Sequence, residues 1–371
     1  MHYHILLTEK CNSQCKYCYE KSLNESMLKT DIGRRFKFDF SAPETSEVNI
    51  KQLKNFLDKD ANPTLIFYGG EPLLEADKIM KIMDEMDIPF RMQTNGKLLN
   101  KLPIRYLKRM GKILVSIDGD KERTDFNKGK GTYDLVTGNL WKARGEGYRG
   151  EVVARMTISQ DFSDVYEQVL HILKTGVFDS VHWQIDAGFY KFDYDEKKFE
   201  KFVKEYNKSI SKLVDFWMSE MRRGRILRLY PFLGIVESLL RGEKTKLRCG
   251  AGHSGYAITT NGKIVACPIM AGIVDFEAGS ISENPKHLFK FDTVSSCAKC
   301  SYLDLCGGRC LYWRAAKLWP KEGDELICKT VKHLIDELKK NMPEIRKLIK
   351  EGIIQQEDFY YEKYFGPEII P

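Results

Sequence analysis

The sequence predicts an α/β fold: a partial (β/α)6 parallel-sheet barrel with a C-terminal cysteine-rich domain. Three observations lead there. Over roughly the first 190 residues, short β-branched and aromatic runs alternate with amphipathic helix-like segments, the signature of strands joined by crossover helices. Asp193 to Arg228 is then strongly charged with interspersed Phe, Tyr, Trp and Leu, which reads as one or two long amphipathic helices. From Leu247 to Cys328 the texture turns to Gly, Cys and short strands, and this stretch holds seven of the ten cysteines.

The expected strands are His4–Thr8, Thr64–Tyr68, Phe90–Thr94, Ile113–Ile117, Glu151–Ile158 and Ser180–Ile185, with helices such as Ile50–Leu57, Ala76–Met86 and Asp164–Lys174 between them. In parallel α/β sheets the working side chains gather at the C-terminal ends of strands. In the second half, Gly255–Thr259 and Lys263–Ala266 flank the turn signal Asn261-Gly262, and Thr330 to Ile354 returns to helix. The expected domains are a barrel over 1–205, a helical bridge over 206–246, the cysteine-rich domain over 247–330 and a helical tail over 331–371.

Composition bounds the function. A chain of 371 residues with 43% hydrophobic content can bury large cores. The net charge of +7 comes from Lys intermixed with Glu and Asp, as in Lys51–Asp60, which describes solvated helix faces and implies no nucleic-acid partner. No apolar run of about 18 residues occurs, and the chain enters its first strand-like segment without a charged leader, so a cytoplasmic protein without a membrane partner is expected. Ten cysteines in tight groups, with no export signal, point to metal rather than disulfides.

The first group, Cys11-Asn-Ser-Gln-Cys15-Lys-Tyr-Cys18, follows the first strand directly. Three thiolates so close together can hold three irons of a four-iron cluster and leave the fourth open to another molecule; a zinc site lacking a ligand is the alternative. The second group runs Cys249, Gly262, Cys267, then Cys297-x2-Cys300-x5-Cys306-x3-Cys310, then Cys328. Read alone, Cys297, Cys300, Cys306 and Cys310 also suit a zinc-ribbon site.

The first motif, with Tyr17 before its third cysteine, resembles the radical S-adenosylmethionine (SAM) superfamily. The resemblance continues through Gly69-Gly70-Glu71-Pro72, Thr94-Asn95-Gly96 and Ser116-Ile117-Asp118-Gly119, each following an expected strand, and covers about residues 4–330. It implies a cluster on Cys11, Cys15 and Cys18 whose open iron chelates SAM, and reductive cleavage of SAM to a 5′-deoxyadenosyl radical. By the same resemblance Tyr17 lies beside the adenine, Gly69 and Gly70 allow close backbone approach, and Glu71 accepts from the SAM amino group. Thr94 and Asn95 form the family's turn, Ser116 touches the ribose or the methionyl carboxylate, and Arg155 is a candidate bidentate partner for that carboxylate.

The second group resembles the seven-cysteine SPASM domain of enzymes that mature peptides and anaerobic sulfatases. That resemblance implies one auxiliary cluster on Cys249, Cys267 and Cys310 and another on Cys297, Cys300, Cys306 and Cys328, making three [4Fe-4S] clusters in all. Two departures stand out. No extra cysteine follows Cys249, so the first auxiliary cluster either keeps an open iron or takes His253 as a ligand; and Pro268, not an aspartate base, follows Cys267.

The resemblance implies modification of a peptide or protein side chain after hydrogen abstraction, with a reduced flavodoxin- or ferredoxin-type electron donor. With the first strand so near residue 1, a leader peptide is expected to be read by a separate protein, by the catalytic half itself, or not at all. A small-molecule enzyme acting on a tetrapyrrole or cofactor precursor is the alternative, and a zinc-bound interaction module a third reading. Asp186 and Asp118, at expected strand ends, are the candidate catalytic acids or bases.

Overall fold

The computed structural model describes residues 1–18, 31–190, 193–292, 297–365 and 371. The chain divides into two compact units, one of residues 1–155 and 250–292, the other of residues 156–249 and 293–371.

The first unit is built on a sheet whose central strand is β1, His2–Leu6. On one side follow β2 (Thr64–Tyr68), β3 (Phe90–Thr94), β4 (Met110–Ser116) and the start of β5 (Glu151–Ile158), each parallel to its neighbour. On the other side β7 (Gly255–Ile258) also pairs with β1 in parallel, with His2 opposite Gly255. From β7 the chain doubles back into β8 (Lys263–Val265) and β9 (Glu277–Ser280), both antiparallel. Asn261-Gly262 makes the expected turn, with Gly262 at φ 84°. Strands buried on both faces read as continuous apolar runs, and Thr-Leu-Ile-Phe-Tyr of β2 does so. The crossover helix α1, Ile50–Leu57, is capped by Asn49, whose side chain accepts from the Lys51 and Gln52 N–H groups, and buries Leu53, Phe56 and Leu57. Helices α2 (Ala76–Glu85), α3 (Lys121–Lys128) and α4 (Thr132–Gly145) complete the crossovers up to β5.

Several strand boundaries differ from expectation, those of β1 and β4 most. β1 ends at Leu6 because Thr8 turns away to bridge Thr45, while its carbonyl accepts from Gly70 N–H. β4 starts three residues early, at Met110. Its Gly111-Lys112 step reads as a break, yet the buried Lys112 Nζ pairs with Glu151 at 3.0 Å on β5, and the Arg91 side chain fills the space over Gly111.

In the second unit the end of β5 lies beside β6 (Ser180–Ile185), since Asp186 N–H donates to Ile158 O at 2.9 Å. Helix α5, Val165–Lys174, follows β5. The charged stretch after β6 is one helix, α6, Glu196–Met221, whose N-terminus is capped by Asp195. α7, Tyr230–Arg241, ends at Gly242 in the left-handed conformation, φ 67°. The short α8, Leu311–Ala316, precedes the long α9, Lys321–Lys350. α6 and α9 pack on each other, pinned at one end by Arg222 and Glu344, whose two hydrogen bonds measure 2.7 and 2.9 Å.

Candidate active site and cluster ligands

Residues 11–18 leave β1 at its C-terminal end and are tied down at three points. Gly69 and Gly70 lie against the backbone just ahead of Cys11: a Cβ on Gly69 would sit 2.3 Å from Thr8 O, and one on Gly70 2.3 Å from Lys10 O. That approach lets Gly70 N–H donate to Thr8 O at 2.8 Å and Glu71 N–H to Lys10 O at 2.9 Å. The paired glycines are therefore required by contact between two backbones, whatever else they touch.

Glu71 is fully buried, and its carboxylate gathers three donors. Oε1 accepts from Thr94 Oγ1 at 2.7 Å and Leu73 N–H at 3.0 Å, and Oε2 from Asn95 N–H at 2.7 Å. Burial pushes the Glu71 carboxyl above its usual range, opposed by those hydrogen bonds and by the charge of Lys97. Asn95 passes the order on. Its amide donates to Asn12 Oδ1 at 2.7 Å and lies 3.9 Å from the Cys11 sulfur.

At the far end of the loop Tyr17 OH donates to Asp118 Oδ2. Asp118, also fully buried, accepts from Asn127 at 3.1 Å and pairs with Lys128 Nζ at 3.5 Å. Lys16 N–H donates to Asn127 O at 3.0 Å, and its ammonium stands over the Phe126 ring. Thus α3 holds the loop through three consecutive residues. Ser116 lies opposite Arg155 in the β4–β5 register. Nearby, His4 on β1 is pushed down to about 3 by burial first, then by the His2 and Arg155 charges, so it stays neutral.

Among the other predicted site residues, Cys267 lies in the first unit and Cys249, Cys310, Cys297, Cys300, Cys306, Cys328 and Asp186 in the second. None of the ten cysteines is joined in a disulfide. Among the described residues no three His, Cys, Asp or Glu side chains close on one point as they would round a single metal ion. The Cys306, Cys297 and Cys328 thiols still lie near enough to feel one another's charge, and buried guanidinium nitrogens with no hydrogen-bond partner stand beside them, on Arg309 (Nε, Nη1) and Arg314 (Nε). A multinuclear cluster needs thiolates spread over its corners and carries negative charge, so this donor set suits it. The loop of Cys11, Cys15 and Cys18, with an amide turned toward one sulfur, suits it too.

A model of the radical SAM superfamily matches residues 5–175, from β1 through α5, so that the loop of Cys11, the Gly69–Glu71 turn and the strand ends of β3 and β4 all fall within it. That stretch, a little under half of the chain, is what the chain shares with radical SAM enzymes. Radical SAM enzymes use a [4Fe-4S] cluster and SAM. The chain is also similar to a cysteine-type anaerobic sulfatase-maturating enzyme of Clostridium perfringens, at 24% identity over 345 residues, covering 83% of this chain and 87% of the relative. Among solved structures it shares the fold of native anSMEcpe with bound AdoMet, with TM-score 0.71, 18% identity and coverage of 93% and 99%. It also matches that protein with bound AdoMet and a peptide, with TM-score 0.67, 18% identity and the same coverage. The parallel-dominated open sheet accordingly has the partial-barrel fold of that solved structure, accompanied by a cysteine-rich C-terminal region. No helix among the described residues is long and apolar enough to cross a membrane.

Some residues with unusual surroundings carry no signal in the sequence. A lone His4 in a strand reads as core. Asp193 is also such a case: burial pushes it up to about 6, against a 2.6 Å hydrogen bond from Trp319 Nε1. Arg309 and Arg314, among the C-terminal cysteines, look in sequence like surface charges.

Proposed function

We propose that this chain is a radical SAM enzyme that modifies a side chain of a peptide or protein. Cys11, Cys15 and Cys18 would hold a [4Fe-4S] cluster, which would supply the electron for reductive cleavage of SAM and so the means of removing a hydrogen atom from the substrate side chain. Around SAM, Tyr17, Gly69, Gly70, Glu71, Thr94, Asn95, Ser116 and Arg155 give the contacts. Cys249, Cys267 and Cys310 hold one auxiliary cluster, and Cys297, Cys300, Cys306 and Cys328 another. A reduced flavodoxin- or ferredoxin-type protein is the electron donor.

The observation that carries this reading is the loop of Cys11–Cys18, fixed at one end through Glu71 and Asn95 and at the other through Asp118. Similarity to a sulfatase-maturating enzyme, and to a fold solved with AdoMet and peptide together, supports a peptide as the substrate class. The position after Cys267 argues for a different reaction from sulfatase maturation: Pro268 opens a tight turn there and offers no carboxylate.

The test is anaerobic incubation with SAM, a one-electron reductant and candidate peptides deuterated at their side chains. Deuterium arriving in 5′-deoxyadenosine, with a matching change in peptide mass, is the expected result. Deuterium transfer from a tetrapyrrole precursor and from none of the peptides would replace this reading with the small-molecule one.

A further inference from the structure

We infer that Arg309 and Arg314 are the charge partners of the iron–sulfur cluster proposed on Cys297, Cys300, Cys306 and Cys328, and that they raise its reduction potential. The inference rests on that cluster assignment and adds to it two residues at positions the motif leaves unspecified.

Arg309 is 2% exposed. It sits at φ 60° between Gly308 and Cys310, a backbone conformation that a long side chain rarely takes, so its placement is held by its surroundings. Its Nε and Nη1 have no hydrogen-bond partner, and neither does Arg314 Nε. Arg314 Nη2 donates to the Cys328 sulfur at 3.2 Å. Both guanidiniums lie over the Trp313 ring, at 4.9 and 4.1 Å from its centroid, and so come together on one residue. The nearby carboxylate is Asp324, whose charge acts on both guanidiniums but whose Oδ1 makes no hydrogen bond to either.

A buried cation and a half-buried one, both with unmet N–H groups, are costly unless enough negative charge faces them. Asp324 supplies one such charge, and the thiols around them supply more once deprotonated. Cys310, of the neighbouring cluster's set, Cys328 and Cys306 lie near enough to act on Arg309, and Cys328, Cys297 and Asp324 near enough to act on Arg314. A four-iron, four-sulfide core on four thiolates is a dianion in its oxidised resting form. One electron from an external one-electron reductant makes it a trianion, with no bond formed and no proton moved, while the reductant is oxidised by one electron. Fixed positive charge stabilises the trianion more than the dianion, so it favours reduction.

The experiment uses the full chain, reconstituted anaerobically with iron and sulfide. Iron is counted first; the cluster is then titrated with dithionite in the presence of mediators and followed by electron paramagnetic resonance, its signal identified by loss in C300A. At the wild-type midpoint, R314Q and R309Q are expected to lower the reduced-to-oxidised ratio about tenfold, equivalent to about 59 mV for a one-electron couple. R314K and R309K are expected to stay within about threefold of wild type. Iron lost from both Gln variants but kept in both Lys variants would also support the inference, since charge is what separates them. Unchanged ratios in fully loaded Gln variants, or equal iron loss in the Gln and Lys variants, would overturn it. Wild-type protein with no iron attributable to Cys300 would overturn the cluster assignment itself.

Discussion

The Tyr17 hydroxyl donates to Asp118, 101 residues away in sequence, and so joins the cysteine loop to the turn after β4. Asp118 is also paired with Lys128 in a site where neither side chain is more than 4% exposed. Sequence reading makes Asp118 a candidate catalytic base, whereas its partners in the structure give it the work of an anchor.

Asp118→Ala is therefore expected to destabilise the protein by about 3–5 kcal/mol, because it strands a buried cation and leaves Tyr17 and Asn127 without their acceptor. Asp118→Asn keeps an acceptor for Tyr17 and removes only the charge, so it should lose less. Urea unfolding of the two variants checks the order; equal losses would mean that the hydroxyl contact contributes nothing.

Glu71→Gln places an amide NH2 against either the Asn95 N–H or the Thr94 hydroxyl and Leu73 N–H. Two donors then face each other in a fully buried position, a cost of about 1–3 kcal/mol. The loss should appear as a lower melting temperature before any cluster is loaded, and SAM titration of the loaded variant should show weaker binding. A variant that melts like wild type but binds SAM poorly would assign Glu71 to the cofactor alone.

Asp193 gives a pH signature. Its folded pKa, pushed up to about 6 by burial, lies above the usual carboxylate value, so the folded state holds its proton more tightly than the unfolded state does. Stability from this group is present below about pH 4 and is lost as pH rises to about 6. Asp193→Asn should then stabilise the protein at pH 8 by on the order of 2 kcal/mol, raising its melting temperature there, and change it little at pH 4. Thermal unfolding at both values decides it; an equal shift at both would trace the effect to packing against Trp319.

Metal content tests the assignment of the cysteines. Reconstituted protein should hold roughly 12 irons per chain, three four-iron clusters. Replacing Cys11, Cys15 and Cys18 together by Ala should remove about a third of them and abolish SAM cleavage. A fully loaded wild type with about four irons would leave only the radical SAM cluster standing.

The strands and the cysteine loop were legible because their signals are local. β2 and β3 follow from unbroken apolar or alternating runs, and Cys11, Cys15 and Cys18 fall within one octapeptide. The start of β4 was hidden because Lys112, which breaks the pattern, is neutralised by a partner on another strand. The same reason hides the anchors. Glu71 is visible as part of a motif, but its three donors come from backbone and side chains up to 24 residues away, and nothing near Asp118 in sequence announces Tyr17. Arg309 could be found only from its burial. Long-range pairing of polar groups leaves no periodicity to read.

The parallel pairing of β1 with β7 sets a schedule for synthesis. β1 leaves the ribosome first, but one of its two hydrogen-bonding edges is filled by a strand about 250 residues later. At ~5–20 residues per second the growing chain carries that open edge for on the order of 10–50 s, long after β2 has become available for the other side. An unpaired apolar edge of that kind invites pairing with other chains. β1 offers Tyr3 and Ile5 there, both fully buried in the finished fold. Newly made protein is accordingly most exposed to misassembly before Gly255 emerges, and a chain ended at Lys246 would never leave that state.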